Sequence, residues 1–359
     1  MPFDLSFEYL LGLAVWLIAG AAGLVALLKF RQRSARRQIS AWRLAANLGL
    51  SLWMFLAAVT LVELYFAILY DQSDSFNMSN VSKHWFARHV RTNGEGFRDS
   101  RPFPKKVPAG MLRICFVGDS FTFGHGVKNV ADRFSDRVAQ RLDKARPGKF
   151  LVSNLGEAGI DVRLVTNLVE TCVKHNFQVD YVVYTICLND IDAYEPGSSD
   201  QQERLALHSP RFFLFRDTYF LNMLYFRVEQ ARLPDVRNYY SDLAESYRSV
   251  AWNGMRKKLE ELHEFCLERK IDLRIVVFPF LHNLGEHYPF DQAHERIGEF
   301  CRQAKIPYLD LKPVLAPHVS EGLTVNPFDA HPNERAHALA AEAIESDLLA
   351  DLFGGVDSH

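Results

Sequence analysis

Ser120 closes the run Arg113-Ile114-Cys115-Phe116-Val117-Gly118-Asp119-Ser120, where a short apolar strand gives way to the glycine-bearing turn Phe121-Thr122-Phe123-Gly124. In an open parallel sheet ligands sit beyond the carboxyl ends of the strands, so a hydroxyl at this point faces a crevice and not the core. Acyl transfer needs a nucleophile, a base, a group that orients the base, and donors aimed at the developing oxyanion. Ser120 suits the first role. His331, in Asp329-Ala330-His331-Pro332-Asn333, suits the second, and Asp329 the third. The donors on offer are the backbone N–H groups of Ser120 and of Gly159, in Asn154-Leu155-Gly156-Glu157-Ala158-Gly159, and the side-chain amide of Asn189, in Cys187-Leu188-Asn189-Asp190. A glycine at position 159 lets the backbone approach a substrate closely.

These four blocks, in this order, resemble the GDSL or SGNH hydrolase family over about Arg113 to Leu349. The resemblance implies serine chemistry without a metal or organic cofactor, with the family's serine, glycine, asparagine and histidine falling on Ser120, Gly159, Asn189 and His331. Two positions depart from the family pattern. Cys187 replaces the glycine of the third block, either narrowing the space near the oxyanion hole or capping its strand. In the last block Phe328 stands three residues before His331, and Asp329 stands two before it. Side chains two residues apart share a side in extended backbone and oppose each other on a helix. Asp329 therefore orients His331 only if the chain is extended there; otherwise a main-chain carbonyl takes that task.

The remaining polar residues near these blocks have plainer readings. Asp119 and Asp190 brace turns, and His125 belongs to an exposed loop. His282, His318 and His337 have no sequence partner that recommends them, and Asn93 and Arg98 are candidates for packing beneath the site. The glycines of Gly118 to Gly126 are not followed by Gly-Lys-Ser/Thr, so a phosphate loop is not indicated.

The elements that must position these residues alternate regularly. Strands are expected at Leu112 to Val117, Phe150 to Leu155, Tyr181 to Cys187, Leu273 to Phe278 and Pro307 to Leu311, with helices between them whose apolar residues recur at helical spacing. A last helix is expected to begin at Pro332 and to carry the stripe Ala336, Leu339, Ala340, Ala343, Ile344 and Leu348. The fold class is α/β, a three-layer parallel sheet of about five strands of the flavodoxin-like SGNH type, preceded by two transmembrane helices. The expected domains are a two-helix anchor over 1–70, a linker and packing segment over 71–110, and a hydrolase-like domain over 111–355 with an aromatic insertion at about 195–245. That insertion, containing Phe212-Phe213-Leu214-Phe215, reads either as a lid or acyl-binding wall touching the membrane, or as a satellite core.

The chain of 359 residues has a formal net charge of −2, which gives no basic footprint for nucleic acid. Tyr9 to Leu28 is uncharged and about the length, roughly 20 residues, that crosses a bilayer. Ala45 to Val62 is a second such stretch. No basic segment precedes the first, which argues against a cleaved signal peptide. Lys29, Arg31, Arg33, Arg36, Arg37 and Arg43 fall between the two and place that loop in the cytoplasm, leaving the amino terminus and everything after Tyr70 outside the cytoplasmic membrane. Ala19 and Gly23 suit close helix contact, and Glu63 is expected to reach the headgroups. The five cysteines form no disulfide framework and read as buried thiols, with a Cys266–Cys301 bridge open to an oxidising compartment.

The sequence thus points to a membrane-anchored serine esterase acting on O-acyl esters outside the cytoplasm, its partner an ester or an O-acylated glycan or lipid. Two alternatives stand beside it: an O-acyltransferase that passes the acyl group to an envelope polysaccharide by the same Ser-His chemistry, and a catalytically silent membrane-anchored scaffold.

Overall fold

The computed structural model describes residues 5–194, 201–285 and 287–354. The chain divides into two compact units. One comprises Met1–Gln72, Asn77–Arg88 and Leu205–Arg232; the other comprises Ser73–Phe76, His89–Arg204 and Leu233–His359.

The second unit is built on five strands: β1 Leu112–Gly118, β2 Phe150–Asn154, β3 Tyr181–Cys187, β4 Asp272–Phe278 and β5 Tyr308–Asp310. They form one sheet in the order β2-β1-β3-β4-β5, and every pairing is parallel. The chain leaves β1 to one side and returns as β3 on the other, so the carboxyl ends of β1 and β3 flank a topological switch point, where ligand crevices open. Helices Phe134–Ala145 and Glu334–Ala343 pack together, as do Val162–Lys174 and Ala251–Glu268, giving the three-layer arrangement that the alternation of elements implies. The strands are buried almost throughout, as expected when both faces are covered. Phe116, Phe134 and Phe278 are fully buried, with Phe134 lying 5.7 Å from Phe116 and 6.2 Å from Phe278 between ring centres. Burying one such ring contributes about 1.5–3 kcal/mol.

Two further strands, β6 Thr324–Asn326 and β7 Asp329–Pro332, pair antiparallel with Asn326 opposite Asp329. The Asn326 side chain accepts from Phe328 N–H at 2.7 Å, an Asx turn that closes the hairpin over Pro327 and Phe328. The last helix begins at Glu334 and not at Pro332. Pro332 ends β7, and the Asn333 side chain caps the helix by accepting from the N–H groups of Arg335 and Ala336 at 3.0 and 3.1 Å. The stripe from Ala336 to Leu348 is buried as its spacing requires. All five cysteines are free thiols, and Cys187 is the buried last residue of β3.

The first unit holds two long helices, Phe7–Arg36 and Ser40–Leu64, the latter continued by a π-helical turn Tyr65–Leu69. Both are long and apolar enough to cross a membrane, and their apolar side chains are largely exposed. Trp53 Nε1 donates to the Gly20 carbonyl at 2.8 Å, and Trp16 Nε1 to Thr60 Oγ1 at 3.0 Å. The tight approach between these helices falls at Gly49, where a Cβ would meet the Leu27 side chain, whereas the space beside Gly23 is open. Within the stretch read as a linker, Asn80–His89 is a helix. Of the aromatic insertion, residues 195–200 lie outside the described residues, and Leu205–Arg232 belongs to the unit of the two long helices.

Candidate active site

Ser120 opens the helical turn Ser120–Phe123 directly after β1. Gly118 permits the bend: its φ is +150°, and a Cβ there would come within 2.4 Å of the Thr185 carbonyl oxygen on β3. The loop beyond Ser120 is held from below. The buried Arg98 guanidinium donates to the carbonyls of Gly124 and Val127, each at 2.5 Å, while Asn93 stabilises the turn leading to it by accepting from Glu95 and Phe97 N–H.

Strand β7 carries the candidate base, His331. His331 Nε2 lies 2.9 Å from Ser120 Oγ, and His331 Nδ1 lies 2.5 Å from Asp329 Oδ1. A carboxylate only accepts, so Nδ1 carries the proton and Nε2 presents its lone pair to the Ser120 hydroxyl. The two-residue spacing works because β7 is extended, which sends both side chains to one side. Burial by itself would raise the Asp329 carboxyl. The adjacent imidazoles of His331 and His125, with hydrogen bonds from His331 and Ser73, outweigh burial and hold it well below the usual carboxylate range.

Two residues that sequence reasoning passed over complete this side. Ser73 Oγ donates to Asp329 Oδ2 from a segment remote in sequence. His125 is buried, not exposed in a loop as its Gly-His-Gly setting suggests. Its ring stacks on that of His331 with centroids 3.9 Å apart and planes within 7°. Its Nε2 lies 3.0 Å from the Asp74 carbonyl oxygen and 3.5 Å from Asp329 Oδ2, so that nitrogen carries the proton. Burial and the neighbouring His331 push the His125 imidazole down to about 3, so it is neutral. The only sequence signal was the pair of flanking glycines: both have positive φ, and they fold the loop back toward β7.

The expected oxyanion donors also converge, on a protein group. Gly159 N–H donates to Asp119 Oδ1 at 2.5 Å, and Asn189 Nδ2 donates to Asp119 Oδ2 at 2.8 Å. The Ser120 N–H also bonds this carboxylate. Burial raises the Asp119 carboxyl, and these three hydrogen bonds oppose the rise. Gly159 has φ +83°, a conformation that favours glycine, and nothing lies within 4 Å of where its Cβ would be, leaving room beside the donors. Asn189 sits in a 3₁₀ turn fixed by Tyr247 Oη, which donates to the Leu188 carbonyl at 2.9 Å, and by Tyr184 Oη, which donates to Asp190 Oδ2 at 2.6 Å. Asp190 thus braces its turn; Asp119 does more than brace, since it holds the donors.

His125, Asp329 and His331 place one ligand atom each within 4.8 Å of one another, close enough to hold a cation. Two of these contacts carry protons, His331 Nδ1–H toward Asp329 and His125 Nε2–H toward Asp74, and a proton blocks ligation. The arrangement therefore suits proton transfer along a Ser–His–Asp chain better than metal binding.

The fold is thus an α/β parallel sheet with a hydrogen-bonded Ser–His–Asp chain at its switch point. The chain belongs to the GDSL-like lipase/acylhydrolase family, whose sequence profile matches residues 116–339. No curated protein matches the chain at a significant level. Among solved structures it is similar to a two-domain esterase active on acetylated mannans (18% identity, TM-score 0.42, 68% of this chain and 50% of that one). It is also similar to a catalytic mutant of Axe2, an acetylxylan esterase from Geobacillus stearothermophilus (16% identity, TM-score 0.42, 66% and 94%). A third is a G-D-S-L family lipolytic protein from Desulfitobacterium hafniense (14% identity, TM-score 0.41, 66% and 99%). The chain spans half the length of the two-domain esterase.

Proposed function

We propose that the protein is a membrane-anchored serine esterase that removes O-acyl groups on the extracytoplasmic side. The observation that supports this most strongly is the unbroken chain from Ser120 Oγ through His331 to Asp329. Ser120 attacks the ester carbonyl while His331 Nε2 takes its proton and returns it to the leaving alcohol. Asp329, aided by Ser73 and His125, holds the imidazole in the required tautomer and stabilises the imidazolium. The ester's carbonyl oxygen takes over the N–H groups of Ser120 and Gly159 and the amide of Asn189 as the Asp119 carboxylate turns aside. Water then releases the acyl group by the reverse proton path. The anchor is residues 1–70, with the loop from Lys29 to Arg43 in the cytoplasm; the unit carrying Ser120 lies outside.

Hydrolysis of p-nitrophenyl acetate and longer-chain esters by the full chain in lipid nanodiscs tests the reading. Wild type should turn over, whereas Ser120→Ala and His331→Ala should fall to the background rate. Wild type indistinguishable from Ser120→Ala, with no covalent fluorophosphonate adduct on Ser120, would remove hydrolysis from consideration; adduct formation without hydrolysis would point to transfer to a glycan acceptor.

A further inference from the structure

The aromatic stretch near residue 215 belongs to the unit of the two long helices. Phe212 and Phe213 are 54% and 56% exposed, their rings 4.8 Å apart, and Phe215 extends the cluster to Tyr225 at 5.8 Å. Leu207 is 80% exposed nearby in sequence. Exposed apolar side chains concentrated like this mark an interaction surface.

What covers the cluster follows from how it is fastened. The helix Phe220–Arg232 starts on Glu63, near the end of the second long helix: Glu63 Oε1 accepts from Tyr219 N–H and Oε2 from Phe220 N–H, both at 2.8 Å. Tyr9 Oη donates to the same carboxylate at 2.9 Å. A carboxylate at a helix N-terminus is favourable in itself, and here it also satisfies two otherwise orphaned N–H groups. Asn80 Nδ2 donates to the carbonyls of Arg216 and Thr218, both at 2.8 Å, and Asn222 Nδ2 to that of Phe215 at 2.7 Å, so the turn that bears the phenylalanines is rigidly held. Tyr9 is the first residue of the uncharged run Tyr9 to Leu28. The level of Tyr9 and Glu63 is thus the boundary between hydrocarbon and headgroups, and Tyr219 and Phe220 are bonded to that level.

We propose that Phe212–Phe215 is an interfacial element that inserts into the outer leaflet of the bilayer crossed by the two long helices. Aromatic side chains favour this depth, and Arg211 precedes the stretch with a long stem suited to reaching the lipid phosphates, while Arg216 at its other end is paired with Asp217 at 2.6 and 2.7 Å. Glu63 is then a cap that couples a span to the interface element and not a charge left in the membrane. The inference rests on the anchor proposed above.

The test uses the full chain, in a Cys172→Ser background, reconstituted into phosphatidylcholine and phosphatidylglycerol vesicles and labelled with a maleimide of the environment-sensitive dye NBD at Phe213→Cys or, separately, at Leu17→Cys. Both positions are exposed, so labelling leaves the packing intact. Nitroxide lipids are added with the quencher near the headgroup or at mid-chain. The Phe213→Cys label should emit in the blue and lose most of its fluorescence to the headgroup-proximal nitroxide, and Leu17→Cys should lose most to the mid-chain one. If Leu17→Cys is quenched while Phe213→Cys stays red-emitting and unquenched, the interfacial element is overturned and the anchor stands. If neither is quenched, both fall.

Discussion

The two sides of the candidate site are assembled differently. On the base side every polar atom of the Ser120–His331–Asp329 chain has found the partner that proton transfer requires, and Ser73 and His125 support the last member. On the oxyanion side the donors converge equally well, but they hold the carboxylate of Asp119. On the base side Asp329 and His331 share one strand, β7, whose alternation fixes their side-chain direction toward each other, while Ser120 comes from the end of β1. The oxyanion side collects groups from the ends of three different strands, β1, β2 and β3, and its donors meet on one carboxylate, that of Asp119. One side is a chain of side chains joined end to end; the other is three donors gathered on the carboxylate of Asp119, which the proposed mechanism would exchange for an oxyanion.

The sharpest way to break this comparison is Asp329→Asn. An amide here can present the wrong group to Nδ1, and kcat should fall by about 10⁴ with KM little changed, the size expected when a triad loses its orienting carboxylate. A loss below about tenfold would mean that a main-chain carbonyl orients His331 after all, and that the base side does not depend on strand alternation. On the other side Asn189→Ala should lower kcat by about 10²–10³, the cost of one oxyanion donor, again measured with p-nitrophenyl acetate. A crystal structure of the fluorophosphonate adduct should show the phosphonyl oxygen on Gly159 N–H and Asn189 Nδ2 with Asp119 displaced; an adduct with Asp119 unmoved contradicts that exchange.

A smaller effect separates orientation from mere packing. His125→Phe keeps a ring on His331 and removes the N–H that bonds the Asp74 carbonyl beside Asp329, so kcat should drop about three- to tenfold, the order of one ordinary hydrogen bond. His125→Gln, which restores an N–H donor, should recover part of the loss; equal activity in wild type and His125→Phe would reduce His125 to packing.

The smallest effect concerns stability in acid. Burial pushes the imidazoles of both His125 and His337 down to about 3, whereas an unfolded chain takes up these protons near pH 6.5. Their contribution to stability is therefore full above about pH 6.5 and is lost as pH falls toward 3, at up to about 1.4 kcal/mol per pH unit for each group. His337 Nδ1 accepts from Phe134 N–H at 3.2 Å. His337→Gln should make the stability-versus-pH slope between about pH 6 and 4 shallower by one proton, read from denaturation midpoints of the full chain. An unchanged slope would show that His337 takes up its proton in the folded state.

Hydrophobic periodicity made the five strands, the intervening helices and the apolar stripe of the last helix legible, because burial on two faces imposes a pattern that survives without knowing the partners. The last helix was mistaken by two residues, since Pro332 suits the end of a short strand as well as a first helical turn, and the Asn333 cap outweighed it. The converging site residues were recognisable by type and spacing. Their supporting partners were not: Ser73 and the Asp74 carbonyl reach Asp329 and His125 across long stretches of chain, with no local pattern to announce them. His125 was misread because a histidine between glycines carries no sign of burial until the loop has a surface to fold against.

Taken by itself, the sequence determined which residues are candidates for the chemistry and at which end of which strand they emerge, because strand ends, turns and helix faces are local consequences of residue type and period. The tertiary structure decided whether those residues are connected. Asp329 faces His331 only because the β6–β7 hairpin forces extended backbone, and the donors around Gly159 and Asn189 meet Asp119 only because three strands end at one switch point. Side-chain direction and hydrogen-bond partnership are long-range properties, fixed when the sheet closes and not before.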